Sequence, residues 1–248
     1  MIDRPGNRHP RPTEAPPEAR PLEYTLGAAL FFLLAIYAKF PLLDVWISAR
    51  YFQPGQGFVL ASSPVLGALH TWTPRVGLAL VALLLAWLAI SPLLAWLLRQ
   101  RAARLMGFGR RTAVLALLLA LVGPGLLGEG LAKQTMGRPR PVQTELFGGT
   151  QPFQGPFQIG DNPAEHRSFF STTAAAGFAL MGLGLACGPV WRRRWWIIGL
   201  VTGSVLGMAR VMQGAHFFSD VVFAFYAVWL SQLLLAWVAD TWFPPRTH

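Results

Sequence analysis

Long apolar runs separated by short polar segments dominate this sequence. Each is close to the roughly 20 residues that an α-helix needs to cross the hydrocarbon core of a bilayer. The six runs cover residues 22–40, 76–98, 112–131, 171–188, 195–212 and 217–239. Only 13% of the 248 residues are charged, against about 25% in an ordinary globular domain. The sequence therefore predicts an all-α, polytopic membrane protein, with six transmembrane helices in one domain spanning residues 22–243.

The basic residues lie in alternate loops, which predicts the orientation of these helices. A net charge of +10 is also typical of nucleic-acid binding proteins, but here the arginines lie in short segments between apolar runs. By the positive-inside rule, these segments and both termini face the cytoplasm. The other loops then face outward, towards the periplasm of a Gram-negative cell, with the protein in its inner membrane and no nucleic acid as partner. The arginines are Arg4, Arg8, Arg11 and Arg20, then Arg99, Arg101, Arg104, Arg110 and Arg111, and finally Arg192, Arg193 and Arg194.

Residues 1–21 differ from the rest of the chain. They are rich in Pro and Arg and contain no apolar core before Leu22, so we expect a disordered cytoplasmic tail and not a cleaved signal peptide. The single cysteine, Cys187, excludes an intramolecular disulfide. Nothing in the sequence indicates the oligomeric state.

The third apolar run ends in a glycine-rich stretch that makes a straight helix unexpected. Glu129 lies in this stretch, four residues before Lys133, and on a continuing helix the two side chains would share a face and pair. The following loop, residues 133–167, is rich in Gly, Pro and Gln and has no periodicity. Long irregular loops tend to be functional, and this loop could fold over a lipid headgroup.

Three short segments hold most of the outward-facing polar residues that could perform chemistry. They are KQTMGRPRP (133–141), SFFSTTAA (168–175) and ARVMQGAHFFSD (209–220). All three emerge on the predicted outer side, so they can converge although they are far apart in sequence.

The third segment contains a histidine and a carboxylate four residues apart. At the start of a helix, His216 and Asp220 would share a face. A carboxylate bonded to one imidazole nitrogen fixes the tautomer and leaves the other nitrogen free as a nucleophile or base. Arg210 can return to the same place across a short turn. Taken alone, this pair is equally consistent with a structural hydrogen bond.

Lys133, Arg138 and Arg140 form a basic group on the outer side. Basic residues there run against the positive-inside bias and so indicate a specific partner. Phosphate fits, because guanidinium groups match its oxygens. An anchor for lipid headgroups is the alternative.

Together, these segments resemble the type-2 phosphatidic acid phosphatase family, which is related to the vanadium haloperoxidases. The family pattern is K-x6-R-P, then P-S-G-H, then S-R-x5-H-x3-D. Lys133 and Arg140-Pro141 match the first motif in full. Arg210, His216 and Asp220 match the third, with alanine in place of its serine. The resemblance covers about residues 112–239.

The resemblance implies a role for each matched residue and no metal or other cofactor. His216 would attack phosphorus and become phosphohistidine, and Asp220 would orient it. Lys133, Arg140 and Arg210 would hold the phosphate oxygens of a membrane lipid and stabilise the transition state.

The second motif departs from the family pattern. P-S-G-H aligns with Phe170, Ser171, Thr172 and Thr173, so only the serine is retained. Ser171, with backbone amides at the start of the fourth run, would complete the phosphate site, and the two threonine hydroxyls could bond phosphate. In the family the missing histidine is the general acid, a function that contributes about 10²–10⁴-fold.

Three interpretations of this departure stay open. Another outer residue could supply the proton, and the candidates are His166, Glu165 and His70. The substrate could instead be a lipid diphosphate, whose leaving group needs no acid. The protein could also be an inactive binding or transport protein on an inherited scaffold, although the retained nucleophile and cations argue against this.

We therefore predict a membrane lipid phosphatase that acts through phosphohistidine. Candidate substrates are lipid A, phosphatidic acid, phosphatidylglycerol phosphate and undecaprenyl diphosphate. The altered second motif and the GAHFFSDVV segment resemble most the lipid A phosphatase branch of the family. A phosphotransferase would use the same phosphohistidine, so the sequence does not decide whether water or an alcohol accepts the phosphate.

Overall fold

The computed structural model describes residues 21–97, 100–160 and 162–242, which are mostly helical. Contacts divide the chain into two units, Met1–Ala35 and Ile36–His248. The described part of the first unit belongs to helix α1 (Pro21–Lys39), where the rings of Phe31 and Phe32 meet edge to face. The predicted tail, residues 1–21, lies outside the described residues apart from Pro21, and so does residue 243.

The segment after α1 is short and compact. It contains helix α2 (Leu43–Ser48), a 3₁₀ turn and a small antiparallel hairpin. In the hairpin, β1 (Phe52–Gln53) pairs with β2 (Gly57–Phe58), and Phe52 is opposite Phe58. These aromatic rings pack with Phe147 from the later loop. Helix α3 (Pro64–Leu97) follows.

The next helix changes character along its length. Helix α4 (Gln100–Ala120) continues as a π-helical segment, Leu121–Ala132, and then as the short helix α5 (Lys133–Thr135). Pro124 lies inside the π-helical segment, where it cannot donate a backbone hydrogen bond. The glycine-rich end is therefore helical but irregular, and π-helical turns often lie at functional sites.

An irregular loop and three further helices complete the fold. The loop contains 3₁₀ turns at Pro141–Gln143 and Glu145–Phe147. Helix α6 (Thr172–Phe178) continues as a 3₁₀ turn, Ala179–Gly184. Helices α7 (Pro189–Met212) and α8 (Phe218–Trp242) follow.

Five helical stretches in the described residues are long and apolar enough to cross a membrane. They are Leu22–Lys39, Pro64–Leu97, Gly109–Thr135, Pro189–Met212 and Phe218–Thr241. The fourth predicted span, residues 171–188, is a shorter apolar helix, Thr172–Gly184. The predicted helical class is confirmed, whereas six spans are not.

The short helix α6 lies at the centre of the second unit. Phe178 and Met181 are buried in a cluster with residues of α4, α7 and α8. Small residues let the helices approach closely: a methyl group on Gly203 of α7 would collide with the Phe178 ring. This packing places the first residues of α6 beside the turn that joins α7 to α8.

Candidate active site

Backbone hydrogen bonds join the three polar segments. Two of the bonds link one segment to another, and the third links Val142, directly after the first segment, to the turn between α7 and α8. In each bond the N–H of one residue donates to the carbonyl oxygen of another. The pairs, with the donor first, are Ser168 and Arg138 (3.0 Å), Val142 and Gly214 (3.1 Å), and Ser171 and Asp220 (3.1 Å). The predicted convergence of the segments is therefore seen in the fold.

The turn between α7 and α8 brings Arg210 back towards His216. Gly214 has a φ of 68°, a conformation that favours glycine. The N–H of Ala215 donates to the carbonyl oxygen of Arg210 at 3.0 Å. A side chain on Gly214 would also collide with Phe58 of the hairpin. The glycine is therefore required both by the turn and by the packing over it.

His216 is held by Asp220. Its Nδ1 lies 3.3 Å from Asp220 Oδ2, and the residue is only 4% exposed. The same carboxylate oxygen accepts hydrogen bonds from Ser168 Oγ at 2.6 Å and the Phe217 N–H at 2.9 Å. Within the described parts of the chain, Nε2 of His216 makes no hydrogen bond. Donation from Nδ1 to the carboxylate leaves the lone pair on Nε2, which suits a nucleophile.

The surroundings of His216 favour its neutral form. Burial lowers the pKa of His216 most, and the positive charges of Arg210 and Lys133 lower it further. The hydrogen bond and charge of Asp220 oppose these effects without cancelling them. The imidazole is therefore uncharged, with a free lone pair, at neutral pH.

Arg138 lies in a buried cluster, which we define as Asp44, Arg138, Ser168, Ser219 and Asp220. Its guanidinium is fully buried and lies 2.6 Å from Asp220 Oδ1 and 2.8 Å from Asp44 Oδ2. Its other neighbours are Ser219 Oγ at 2.8 Å, the carbonyl of Gln154 at 3.0 Å and the ring of Phe217 at 4.3 Å. This placement differs from the predicted phosphate contact, because the donors of Arg138 already have partners inside the protein.

Asp44 belongs to the site although it was not predicted from the sequence. It lies on α2, is fully buried and accepts hydrogen bonds from the N–H and the hydroxyl of Ser219. Two carboxylates share one guanidinium here, and burial raises the pKa of Asp44 against the opposing effect of Arg138. A lone acid in the apolar segment PLLDVWIS was the available signal, since such residues rarely lack a partner.

Three further cations form a second group, the cationic cluster, defined as Lys133, Arg140 and Arg210. Lys133 Nζ lies 2.6 Å from Glu129 Oε1 and 2.9 Å from Thr172 Oγ1. The predicted pairing of Glu129 with Lys133 is therefore present. Glu129 also lies 3.3 Å from Arg167, so its charge is shared between two cations.

The two arginines of the cationic cluster have no acidic partner among the residues that the structure describes. Arg140 is exposed, and Arg210 is half-buried and close enough for the two charges to repel each other. Arg210 Nη1 donates to Gln213 Oε1 at 2.7 Å, whereas its buried Nε has no partner. A buried donor without a partner calls for an unseen water or ion. A bound anion would satisfy this nitrogen and reduce the repulsion.

The second motif contributes mainly to structure. Ser171 is fully buried, and its hydroxyl caps α6 by accepting from the Ala174 N–H at 3.4 Å. It therefore has no exposed surface to offer to phosphate. Thr172 contacts Lys133, and Thr173 is half-buried beside it.

The three candidates for the missing acid lie in different surroundings. Glu165 is exposed in a turn of the long loop. His166 is 9% exposed, and its buried Nδ1 has no hydrogen-bond partner. His70, on α3, is exposed and within electrostatic range of Arg210, Arg140, Lys133 and His216. The described residues contain no group of three or more His, Cys, Asp or Glu side chains that could hold a metal.

Fold and site together define a helical membrane protein that holds an oriented histidine beside cations, which is the arrangement of a phosphoryl-transfer enzyme. Residues 113–244 match the PAP2 superfamily, and the chain belongs to that superfamily. No solved structure gives a significant match.

Several curated relatives are similar over most of the chain, and all three carry the name lipid A 4'-phosphatase. The protein from Francisella tularensis subsp. novicida is 30% identical over 81% of this chain and 88% of its own length. The Rhizobium etli protein is 30% identical over 88% of each chain. The Rhizobium leguminosarum protein is 29% identical over 82% of this chain and 88% of its own. These matches confirm the predicted superfamily and the predicted class, a phosphatase of lipid phosphates in a bacterial membrane.

Proposed function

We propose that the protein is a lipid A 4'-phosphatase that acts through a phosphohistidine at His216. The observation that carries the proposal is the orientation of His216: Asp220 binds Nδ1 and leaves Nε2 unbonded, near the charges of Arg210 and Lys133. A protein that only bound phosphate would need the cations but not an oriented, neutral imidazole. The names of the three relatives support the choice of lipid A.

The proposed reaction has two steps. In the first, Nε2 of His216 forms a bond to phosphorus while the bond from phosphorus to the sugar oxygen breaks. Lys133, Arg140 and Arg210 stabilise the charge on the phosphate oxygens, and Asp220 stabilises the positive charge that develops on the imidazole. In the second step, water attacks the phosphohistidine, which releases inorganic phosphate and regenerates His216.

The proposed setting is the bacterial inner membrane, with the site on the periplasmic side and both termini in the cytoplasm. The arginines of alternate loops support this orientation. The short helix Thr172–Gly184 then counts as the fourth of six spans, and the surrounding helices shield it from lipid.

The experiment is phosphate release by the purified protein in detergent, from lipid A, phosphatidic acid, phosphatidylglycerol phosphate and undecaprenyl diphosphate. Release from lipid A that disappears in His216→Ala supports the proposal. Mass spectrometry of the product should show loss of the 4'-phosphate.

Three other results would contradict the proposal. Release that survives in His216→Ala would exclude the phosphohistidine. Release only from another lipid would keep the nucleophile and replace the substrate. A phosphate that appears on an added alcohol acceptor would show that the enzyme is a transferase.

A further inference from the structure

Asp44 lies outside residues 113–244, the part of the chain that matches the superfamily, yet it is bonded to the groups that support the nucleophile. Its Oδ2 lies 2.8 Å from Arg138 Nη2, and its Oδ1 accepts the Ser219 N–H at 2.8 Å. The Ser219 hydroxyl also donates to Oδ2. Three donors on two buried oxygens favour the ionised carboxylate, against the opposing effect of burial.

The guanidinium of Arg138 connects Asp44 to the nucleophile. Its Nη1 lies 2.6 Å from Asp220 Oδ1, while its Nη2 lies against Asp44. The other oxygen of Asp220, Oδ2, lies 3.3 Å from His216 Nδ1. These four side chains form a continuous buried series, the charged network, which we define as Asp44, Arg138, Asp220 and His216.

The charges of the charged network do not balance while His216 is neutral. Its two carboxylates carry two negative charges and its guanidinium carries one positive charge, so one negative charge is in excess. An uncompensated buried charge is unfavourable. Arg138 and Asp220 alone would form a neutral pair, so the excess is present because Asp44 is present. A positive charge on the imidazole balances it.

We propose that Asp44 is a positioning residue of the nucleophile: through Arg138, it supplies the negative charge that balances the positive imidazole ring formed at His216 during phosphoryl transfer. This inference rests on the proposed function. As Nε2 bonds to phosphorus, the electron pair of the breaking bond leaves with the sugar oxygen. Nδ1 keeps its proton, so the ring becomes positive, and the charged network then holds two positive and two negative charges.

A purely structural role is the alternative, because Asp44 on α2 also holds the start of α8 through Ser219. Such a role accounts for the hydrogen bonds of Asp44. It does not account for a second carboxylate on one fully buried guanidinium, since burying an excess charge lowers stability. The excess charge is useful only if a neighbouring group becomes positive, and His216 is that group.

The pH dependence of activity separates the two roles. Loss of the negative charge at Asp44 makes a positive imidazole less favourable, which lowers the pKa of His216. The acid limb of kcat/KM, which reports the free enzyme, therefore moves to lower pH. The charged or titratable groups that act on His216 are Asp220 on α8, Arg210 on α7, Lys133 on α5 and His70 on α3. Tyr37 on α1 is a further titratable group near Asp44.

The experiment measures phosphate release from lipid A against pH by wild type, Asp44→Asn and Ser219→Ala. Asparagine keeps the shape of the side chain and removes its charge. Ser219→Ala is the matched control, since it removes the hydroxyl between Asp44 and Arg138 and keeps every charge. We expect Asp44→Asn to lower kcat by about 10–100-fold, the range found for outer partners of metal-site residues. Its KM should change little and its acid limb should lie at lower pH, whereas Ser219→Ala should keep the acid limb of wild type.

The double variant Asp44→Asn/Arg138→Met tests the charge balance even if the single variant folds poorly. It removes one carboxylate together with the guanidinium, so Asp220 alone restores the single negative charge. Replacing both members of a buried ion pair is often neutral for stability, and thermal unfolding shows which variants are folded. The acid limb of the double variant should lie at or above the pH of the wild-type limb, opposite to the shift in Asp44→Asn.

Three results would overturn the role of Asp44 and make it structural. They are an unshifted acid limb in Asp44→Asn, an equal shift in Ser219→Ala, and a double variant whose limb lies below that of wild type. If His216→Ala, measured beside them, releases no phosphate, these results leave the proposed function intact.

Release that survives in His216→Ala overturns the proposed function and this inference together. If wild type hydrolyses phosphatidic acid and not lipid A, only the proposed substrate fails. The same comparison is then made on phosphatidic acid, because Asp44 acts on His216 and not on the lipid.

Discussion

The buried cluster and the cationic cluster both contain arginine, but the guanidinium group has a structural role in the first and is available to an anion in the second. Arg138 is fully buried between two carboxylates, whereas Arg140 is exposed and has no acidic partner in the described residues. The two arginines are only two positions apart in the sequence GRPRP. A guanidinium whose donors have partners inside the protein holds the structure together, and one whose donors lack them is free to bind an anion.

The largest expected difference is between Arg138→Met and Arg140→Met. Removing one partner of a buried ion pair costs about 3–5 kcal/mol, a large share of the roughly 5–15 kcal/mol that stabilises a domain. Arg138→Met should therefore be strongly destabilised in thermal unfolding. Arg140→Met should unfold like wild type, while its phosphate release falls by about 10²–10³-fold, the usual cost of losing one donor to the transition state.

The opposite behaviour of the two variants would contradict the distinction between a structural Arg138 and an anion-binding Arg140. A folded Arg138→Met that has lost only activity would place Arg138 on the substrate. An unfolded Arg140→Met would mean that the exposed arginine has a structural partner.

The pH dependence of activity should show whether the buried cluster, through Asp220, or the cationic cluster has the larger effect on the pKa of His216. Burial and nearby cations lower the pKa of His216, so its neutral, nucleophilic form persists below the ordinary histidine value of about 6.5. Activity should therefore fall only at a lower pH. At a pH about one unit below 6.5, the activity should be up to about tenfold higher than that of an enzyme whose histidine has an unshifted pKa. The acid limb of kcat/KM measures this value for the free enzyme.

Lys133→Met is the matched control for the pH measurement. It removes one of the charges that lower the pKa of His216, so the acid limb of the remaining activity should move to higher pH. A limb at or above 6.5 in wild type would mean that Asp220 outweighs burial and the cations.

The smallest expected effect is that of Thr172→Val. It removes the hydroxyl that accepts a hydrogen bond from Lys133 and keeps the shape of the side chain. A typical hydrogen bond contributes about 1 kcal/mol to stability, so we expect a loss of stability no larger than this and about a fivefold rise in KM for the lipid substrate. Thr173→Val, at a position for which the described structure shows no such contact, is the control. An equal effect in both variants would mean that the rise in KM does not come from the lost hydrogen bond to Lys133.

The helical class could be predicted from the apolar runs alone, and five of the six runs contain or overlap long apolar helices. The run at 171–188 is different because hydropathy counts apolar side chains without telling lipid contacts from protein contacts. Its Phe178 and Met181 are buried against other helices, and its helix covers only Thr172–Gly184. Helix α3 begins at Pro64, before the predicted start at 76. The prediction was late because the first turns of the helix carry polar and aromatic residues and are therefore less apolar than the rest.

The residues of the candidate site were predictable where a motif fixed their spacing. His216, Asp220, Lys133, Arg140 and Arg210 were all selected from the sequence. The structural role of Arg138 could not be predicted from the sequence, since it depends on Asp44, which lies 94 positions away. Ser168 and Ser219 were missed for the same reason, because a buried serine is recognised by its partners and not by its neighbours in sequence.

The distance between Asp44 and Arg138 also has a consequence for synthesis of the protein. A ribosome adds about 5–20 residues per second, so the 94 positions between them correspond to about 5–20 seconds. During that interval the carboxylate of Asp44 exists without the guanidinium that later neutralises it, and Ser219 arrives later still, 175 positions after Asp44. The nascent chain must keep this charge hydrated until its middle third has been made. Closure of the buried cluster is therefore a late event in the maturation of the protein.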